Sequence, residues 1–379
     1  MRKEQICWLT AIIALLAMRG AMAGVLPEDR VDLLYHSYDG EGVQVTGPSI
    51  LVRKGIGNSF SVYGNYYVDT ISSASVDVIS TASPYEEERT EVSAGVDFLH
   101  GDTIMSLGFT QSDESDFIAN SAYFNISQDV FGGLTTVNMG YAKGSNEVFR
   151  NGDPTFAAES DRKNYRLGLT QVLTKNMLLG LSLETITDEG FLNNPYRSVR
   201  YLDTGSALGF SYEPEVYPNT RTSTAVAIRS RYFLKYRAAV FGEYRYFTDT
   251  WGIDAHTAEL GYTHPTDSGW IYEGSIRYYS QTAADFYSDL FPGPQWQNYL
   301  ARDKELATFT SHSLSLGVTY QFSPQRWDFL ERGSINFFVD YMLFDYDDFR
   351  DVTAGGVPGQ EPLFSFDAQV WQLFVSFWF

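Results

Sequence analysis

The chain ends in the residues Ala368-Gln-Val-Trp-Gln-Leu-Phe-Val-Ser-Phe-Trp-Phe379. Large apolar side chains recur here at every second position, so a β-strand would place them all on one face. These side chains belong to Trp371, Leu373, Val375, Phe377 and Phe379. Because an edge strand this apolar would promote aggregation in water, the stretch predicts a strand that faces lipid. We expect it to be the last strand of a membrane β-barrel.

The same alternation recurs upstream in segments of roughly ten residues, the length of a tilted strand that crosses a bilayer. In one of them, Leu314, Leu316 and Val318 alternate with Ser315 and Gly317. Together with the turn residues between segments, the pattern predicts a transmembrane antiparallel β-barrel of about sixteen strands, an all-β fold with an even strand number. The predicted strands span residues 30–38, 43–53, 59–70, 88–99, 103–113, 118–130, 134–144, 162–173, 177–187, 220–235, 237–249, 254–265, 269–281, 307–322, 334–346 and 367–379.

Composition agrees with a barrel. Aromatic residues make up 16% of the 379 residues, while the mean hydropathy is only -0.21. A bundle of membrane helices would be far more apolar, whereas barrel strands expose one face to lipid and the other to water. The formal net charge of -20 argues against nucleic acid as a partner.

The first residues have the features of a secretory signal peptide. Met1-Arg-Lys is basic, Cys7 to Met18 is an apolar run, and Ala21-Met-Ala23 is a small-x-small cleavage site. We therefore expect a cleaved signal peptide at 1–23 and an outer-membrane β-barrel at 24–379, in the envelope of a Gram-negative bacterium. Since Cys7 is the only cysteine, the mature chain would contain none. After Ala23 no window has the roughly 18 apolar residues that a transmembrane helix needs.

The predicted connections differ in length from one end of the barrel to the other. Short ones fall at 55–58, 100–102, 132–133, 175–176 and 266–268. Long polar ones fall near 71–87, 145–161, 188–219, 282–306 and 347–366. Because bacterial barrels have short periplasmic turns and long outer loops, this alternation predicts that both termini are periplasmic.

Several motifs resemble a family of predicted outer-membrane β-barrel proteins of unknown function. They are LPEDR (26–30), YHSYDG (35–40), GPS (47–49), NNPYR (193–197), YPNTR (217–221), DTWGI (249–253), RYY (277–279), ADFYSDLFP (284–292) and ARDKE (301–305). The resemblance covers nearly all of the mature chain. The terminal Phe379 is also similar to the ends of outer-membrane barrels, in which the last strand is the membrane-insertion signal.

The resemblance implies a fold and a location but no activity. It implies lipid, lipopolysaccharide and the barrel-assembly machinery as partners. Members of the family tend to be encoded beside thioredoxin-like and flavin-transferase-like envelope proteins, which implies periplasmic redox or assembly proteins as further partners. No residue pattern in the chain binds a flavin, and we expect no cofactor.

Charged residues on the polar faces of the predicted strands would line the lumen. They are Arg166, Arg229, Arg231, Arg245 and Arg277, with Glu184, Glu243, Glu259 and Glu273. Opposed basic and acidic columns would select solutes by charge, as in porins. The same residues could instead pair into a network that closes the barrel, and the sequence leaves both alternatives open.

Two other polar regions are candidate sites. The long connection after Arg277 could fold into the barrel mouth as a constriction or binding loop, or could be an ordinary surface loop. Its candidate residues are Asp285, Tyr287, Asp289, Arg302, Asp303 and Glu305.

An acidic group near the last long loop could hold calcium but lacks the spacing of a defined calcium loop, so solvated acid is favoured and no metal site is predicted. It consists of Asp345, Asp347, Asp348 and Asp351.

The sequence favours a channel over an enzyme. The five histidines are scattered, and no GxSxG, HExxH or paired-cysteine motif is present. Asp254 and His256 could act as an orienting acid and a base, but no nucleophile stands at a recognisable spacing. The main hypothesis is a porin-like channel with a charged lumen. The alternatives are a barrel that anchors or exports an envelope redox or assembly partner and, with less support, a barrel hydrolase.

Overall fold

The alternating segments form a closed barrel of sixteen strands in the computed structural model, which describes residues 24–73, 85–323 and 329–379. The barrel strands are β1 (Arg30–Gly40), β2 (Val43–Ile56), β3 (Phe60–Ser73), β4 (Tyr85–His100), β5 (Thr103–Asp113), β6 (Phe117–Val130), β7 (Thr135–Phe149), β8 (Ala157–Thr174), β9 (Met177–Gly190), β12 (Thr220–Phe233), β13 (Ala239–Asp249), β14 (Asp254–Pro265), β15 (Trp270–Gln281), β16 (Phe309–Phe322), β17 (Arg332–Arg350) and β18 (Leu363–Trp378). The predicted fold class is therefore confirmed, while the predicted signal peptide lies outside the described residues.

Barrel strands that follow one another in the chain pair in antiparallel fashion, and the first strand pairs with the last. The closing ladder runs from Arg30 opposite Trp378 to Gly40 opposite Ala368. Closure satisfies the backbone groups of both edges, which a sheet in lipid requires. The same ladder places the start of β1 and the end of β18 at one end of the barrel, here called the terminal end. The opposite end is called the loop end.

Most connections at the terminal end are short, including 57–59, 101–102, 175–176 and 266–269. At the loop end the expected alternation is only partly correct, because 41–42, 114–116 and 250–253 are short as well. The predicted loop at 145–161 is also mostly strand, since β7 continues to Phe149 and β8 begins at Ala157. A ladder can extend beyond the bilayer into water, where apolar alternation is no longer needed, so hydrophobicity alone underestimates its length.

Three long segments at the loop end, 191–219, 282–308 and 351–362, form what we call the lid. The first contains a two-stranded hairpin of β10 (Ser198–Leu202) and β11 (Phe210–Pro214), which the sequence pattern did not predict. Short 3₁₀ turns occupy Lys304–Leu306 and Val352–Ala354. Much of the buried apolar packing lies in and beneath this lid. The largest cluster contains Tyr217, Trp251, Ile253, Ala284, Phe286, Ala301 and Leu306.

The outward face of the barrel carries a belt of exposed apolar side chains, among them Leu107, Leu260, Ile276 and Leu316. Such a belt is what a lipid-facing barrel surface requires. In the described ranges, no helix has the length and apolarity needed to cross a membrane.

The belt gives a prediction for stability in lipid. Leu316, at the middle of β16, points outward and is 56% exposed. We expect Leu316→Lys to lower the free energy of unfolding in lipid vesicles by about 2–4 kcal/mol, the cost of a lysine facing lipid at the bilayer midplane. Its neighbour Ser315 points inward, so Ser315→Lys is the matched control and should cost much less. Denaturant titration in vesicles measures both, and equal losses would contradict a lipid-facing position for Leu316.

Candidate functional site

The concave face of the barrel is identified by contacts that skip strands. Tyr63 on β3 and Tyr123 on β6 are joined by a hydrogen bond of 2.7 Å between their hydroxyls, although two strands separate them. Arg53 on β2 likewise pairs with Asp97 on β4. Only side chains inside the barrel can make such contacts, so these residues fix which face of every paired strand points inward.

By this register, all nine charged residues predicted to line the lumen point inward. One row runs across four strands, with Arg229, Glu243, Glu259 and Arg277 opposite one another in turn. Arg231 lies two residues from Arg229 on the same strand and therefore points the same way. For the remaining predicted residues, the inward direction follows from the residues opposite them in the neighbouring ladders. Arg231 is opposite Phe241, Arg245 is opposite Thr257, Glu184 is opposite Arg166, and Glu273 is opposite Thr263.

Several of the inward charges pair along the wall and keep much of their side chains exposed. Arg166 lies 3.2 Å from Glu184, and Arg229 pairs with Glu243. The arginine side chains of these two pairs are 60% and 65% exposed even though they point into the barrel. Long side chains inside a barrel can stay this exposed only where the lumen has room for water. The body of the barrel is therefore not packed shut.

The lid is held together by a buried ionic network centred on Arg200 of the hairpin, whose side chain is 0% exposed. Arg200 pairs with Asp289 from the second lid segment and with Glu361 from the third. Arg302 lies 3.1 Å from Asp289 and joins the same network. Burial disfavours the charge of Glu361, but hydrogen bonds from Arg200 outweigh it and hold the pKa of Glu361 below its ordinary value. One arginine thus ties all three lid segments together.

A chain of polar contacts crosses the loop end. Tyr196 donates a 2.5 Å hydrogen bond to Asp116 of the β5–β6 turn, and Arg197 pairs with Asp303. Lys304 then pairs with Glu41 of the β1–β2 turn. We call Tyr196, Arg197, Asp303 and Lys304 the mouth strap. It links turns on one side of the barrel to lid segments anchored on the other.

Two cavities of ≈ 580 Å³ each lie at the mouth, one bordered by Tyr196, Arg197 and Asp303 of the strap and the other by Lys304. One lies over β6–β9 and the other, which we call the aromatic cavity, lies over β13–β18. Arg221, Glu305 and Leu306 border both cavities and so form the partition between them. Arg221 is fixed there by Asp249 at 2.6 Å and by the Trp251 ring, whose centroid is 4.5 Å from its guanidinium carbon.

The predicted mouth loop is thus part of the lid, and its candidate residues have different surroundings. Asp289 and Arg302 are buried in the ionic network, while Asp303 and Glu305 line cavities. Tyr287 donates its hydroxyl to the Asp348 carbonyl at 3.2 Å. Asp285 is exposed at the rim. The loop is therefore both a constriction of the mouth and a packed structural element.

Two buried acids in the lid, Glu361 and Glu215, were not found from the sequence. Glu215 accepts hydrogen bonds from the Arg302 amide at 2.7 Å and the Tyr217 hydroxyl at 2.8 Å. Burial raises the pKa of Glu215 to about 7, reinforced by the negative charge of Asp303. Burial also raises the pKa of Tyr217 far above its ordinary value. Neither Glu215 nor Arg200 belongs to a periodic segment, so no sequence signal marked them.

The four aspartates of the predicted acidic group are spread apart. Asp348 accepts the Thr308 amide at 2.8 Å, and Asp351 caps the Val352–Ala354 turn. Among the described residues, the one set of three acidic or metal-binding side chains with ligand atoms within 4.8 Å of one another is Glu87, Glu114 and Asp116.

Asp254 and His256 both point outward and have separate partners. Asp254 accepts from Tyr246 at 2.7 Å, whereas His256 lies 2.7 Å from the Tyr244 hydroxyl.

Comparison with known proteins places the chain among proteins of this architecture. The family model described as "Protein of unknown function (DUF3570)" matches residues 69–332. A comparison with curated protein sequences finds no match. Similar solved structures include a bacterial polysaccharide outer membrane secretin, with a TM-score of 0.51, 8% identity and coverage of 93% of this chain and 100% of that one.

Two further structures are similar at lower scores. OmpT, an outer membrane protein of Vibrio cholerae, has a TM-score of 0.44 and 10% identity over 92% of this chain and 99% of that one. The siderophore receptor PirA from Pseudomonas aeruginosa has a TM-score of 0.42 and 12% identity over 93% of this chain and 63% of that one. Of these structures the secretin, at a TM-score of 0.51 and 8% identity, indicates a shared barrel fold and nothing about the ligand.

Proposed function

Because the chain belongs to the DUF3570 family of proteins of unknown function, we propose its function from its own geometry: it is a channel of the outer membrane with a charged lumen and a mouth constricted by the lid. The observation that carries the proposal is the high exposure of long charged side chains on the concave face, led by Arg229 and Arg166. A barrel that served only as an anchor would gain nothing from a water-filled, charged interior.

The same proposal gives the orientation. Most of the short turns lie at the terminal end, together with the start of β1 and the end of β18, so we infer that this end faces the periplasm and that the lid faces the outside. The exposed apolar belt would contact lipid, and the acidic outer loops would adjoin lipopolysaccharide. We propose a transport role without catalysis, in which the protein selects solutes by charge along the lumen and by size at the partition.

The lumen charges give a direct test in planar bilayers. We expect the refolded protein to show a reproducible single-channel conductance. Arg229→Gln removes a positive charge that points into the lumen, so the zero-current potential in a salt gradient should shift toward greater relative permeability for cations. Lys163→Gln is the matched control, because Lys163 lies between Arg162 and Asn164 and so points outward on β8.

Two outcomes would contradict the channel. Fully inserted protein that stays electrically silent over many bilayers would exclude a pore. Equal shifts in the Arg229→Gln and Lys163→Gln variants would show that the ions do not pass along the charged lumen.

A further inference from the structure

The aromatic cavity differs from the rest of the lumen in its chemistry. Along β16, the inward positions Ser313, Ser315 and Gly317 are small or polar, as a water-filled lumen favours. Nearer the mouth the inward side chains of neighbouring strands become aromatic. They are Phe247, Tyr279, Phe309, Phe344, Tyr346 and Phe366.

All of these rings except Phe247 form a continuous surface across the four strands β15–β18. The Tyr279 and Phe309 centroids are 5.4 Å apart, and those of Phe309 and Tyr346 are 5.2 Å apart. Phe344 and Phe366 stack at 4.5 Å with an angle of 7° between their planes. Most of these rings are only half-buried, so apolar surface faces the cavity. A solute with a flat apolar face would cover that surface and release the water over it.

A cation stands at the inner end of this surface. Arg245 lies 3.9 Å from Glu184, which is too far for a hydrogen bond. Glu184 is already hydrogen-bonded by Arg166 at 3.2 Å and by Asn164 at 2.9 Å. The Arg245 guanidinium rests near the Phe247 ring, with its carbon 5.5 Å from the ring centroid. Its donors are therefore placed to receive a carboxylate from a solute.

The other charges of the cavity lie closer to the mouth. Arg221 is neutralised by Asp249, and Lys304 pairs with Glu41. Glu305 stands in the partition. Arg245 is four residues further into the barrel than Asp249, the last residue of β13, a depth of about 13 Å along a strand. A negatively charged group would be repelled by Glu305 at the mouth and attracted by Arg245 at the inner end, with the aromatic wall between them.

We propose that the aromatic cavity binds small aromatic carboxylates, with the carboxylate on Arg245 and the ring on the wall that contains Phe309 and Phe344. This assignment names a solute class for the channel and so rests on the proposed function. Binding to the cavity can nevertheless be measured without any current.

The test uses sodium benzoate as the probe and the full barrel folded in detergent, with ligand-observed nuclear magnetic resonance as the readout. We expect saturable benzoate binding. Benzylamine has the same ring with the opposite charge, and acetate has the charge without the ring, so both should bind at least about tenfold more weakly. Benzylamine binding as tightly as benzoate would overturn the assignment, because Glu305 and not Arg245 would then govern the site.

Variants identify the residue involved. Arg245→Gln should weaken benzoate binding about tenfold, the loss expected for a charge-assisted hydrogen bond. Arg245→Lys retains the charge, so its affinity for benzoate should lie between those of the unmodified protein and Arg245→Gln. Arg231→Gln is the matched control, since Arg231 also points inward but lies near the terminal end of β12, and it should leave binding unchanged. Migration of unheated and boiled samples in detergent gels verifies that each variant is folded.

The channel and the carboxylate-binding site can each be excluded without excluding the other. Equal effects of Arg245→Gln and Arg231→Gln would overturn the binding site even if the bilayers conduct. Benzoate binding that depends on Arg245 would sustain the site even if the bilayers stay silent, in which case only the channel would be excluded.

Discussion

In the Arg200→Met variant, the lid is expected to lose about 3–5 kcal/mol of closing free energy while the barrel below it stays folded. Methionine fills a similar volume but leaves the buried Glu361 without the cation that pairs with it and leaves Asp289 with Arg302 alone. The penalty for an uncompensated buried charge exceeds the net value of the original pairing, so removing one partner is costly. Since the three lid segments meet at this network, all three should open together.

Hydrogen exchange followed by mass spectrometry measures this opening segment by segment. Exchange should accelerate by more than a hundredfold in the lid segments 191–219, 282–308 and 351–362, and should change little in the barrel strands. In bilayers, the same variant should show a larger conductance, because the partition at Glu305 and Leu306 belongs to the lid.

Arg237→Met provides the matched control for Arg200→Met. Arg237 pairs with Asp267 between two exposed turns at the terminal end, and an exposed pair contributes only about 0–1 kcal/mol. The lid should therefore be unaffected. If Arg200→Met leaves exchange in the lid at the level of Arg237→Met, the buried network does not hold the lid closed.

Raising the pH from 5 to 8 is expected to loosen the lid through Glu215. Burial raises the pKa of this carboxyl from its ordinary 4.5 to about 7 in the closed lid. Between these two values the closed lid retains a proton that the open lid has lost. The closed state therefore binds more protons, and its stability falls as the pH rises through this interval. Below pH 4.5 the contribution of Glu215 to the stability of the closed lid is fully present. Above pH 7 this contribution has been lost, and the stability falls no further.

The size of the effect follows from the pKa difference. At 1.36 kcal/mol for each pH unit, the closing free energy should fall by about 3 kcal/mol across the interval. Protease sensitivity of the lid, measured at closely spaced pH values, should rise most steeply between pH 5 and 7.

Two variants assign the pH dependence. Glu215→Gln, which resembles the protonated acid at every pH, should give a much flatter profile. Asp203→Asn, on the exposed turn of the β10–β11 hairpin, should keep the steep profile of the unmodified protein. A steep profile that persists in Glu215→Gln would mean that another group senses the pH.

The strand pattern was largely predictable because it is imposed locally. Leu314, Leu316 and Val318 must face lipid while Ser315 and Gly317 face water, and a period of two residues is enough to express both demands. All sixteen predicted strands overlap barrel strands of the structure. The errors occur at the loop end, where both faces of β7, β8 and β17 enter water and the alternation no longer marks the strand.

The inward charges were found for the same reason, but their contacts were not. Alternation places Arg166, Arg245 and Glu184 on one face, yet only the ladder registers show that a single glutamate stands between two arginines. In the same way, the composition of β15–β18 shows many aromatic residues, but only the register places six rings around one cavity.

The sequence by itself determined the barrel, its strand order and the polarity of each face. Each strand has lipid on one side and water on the other, so the polarity of successive residues alternates and leaves a residue-by-residue record. The last strand, β18, is the clearest part of that record. The tertiary structure alone decided how the mouth is closed. Asp289 and Glu361 lie 89 and 161 residues beyond Arg200 in the chain. Loop segments have no period from which such a meeting could be inferred, since their paths are set by long-range pairing.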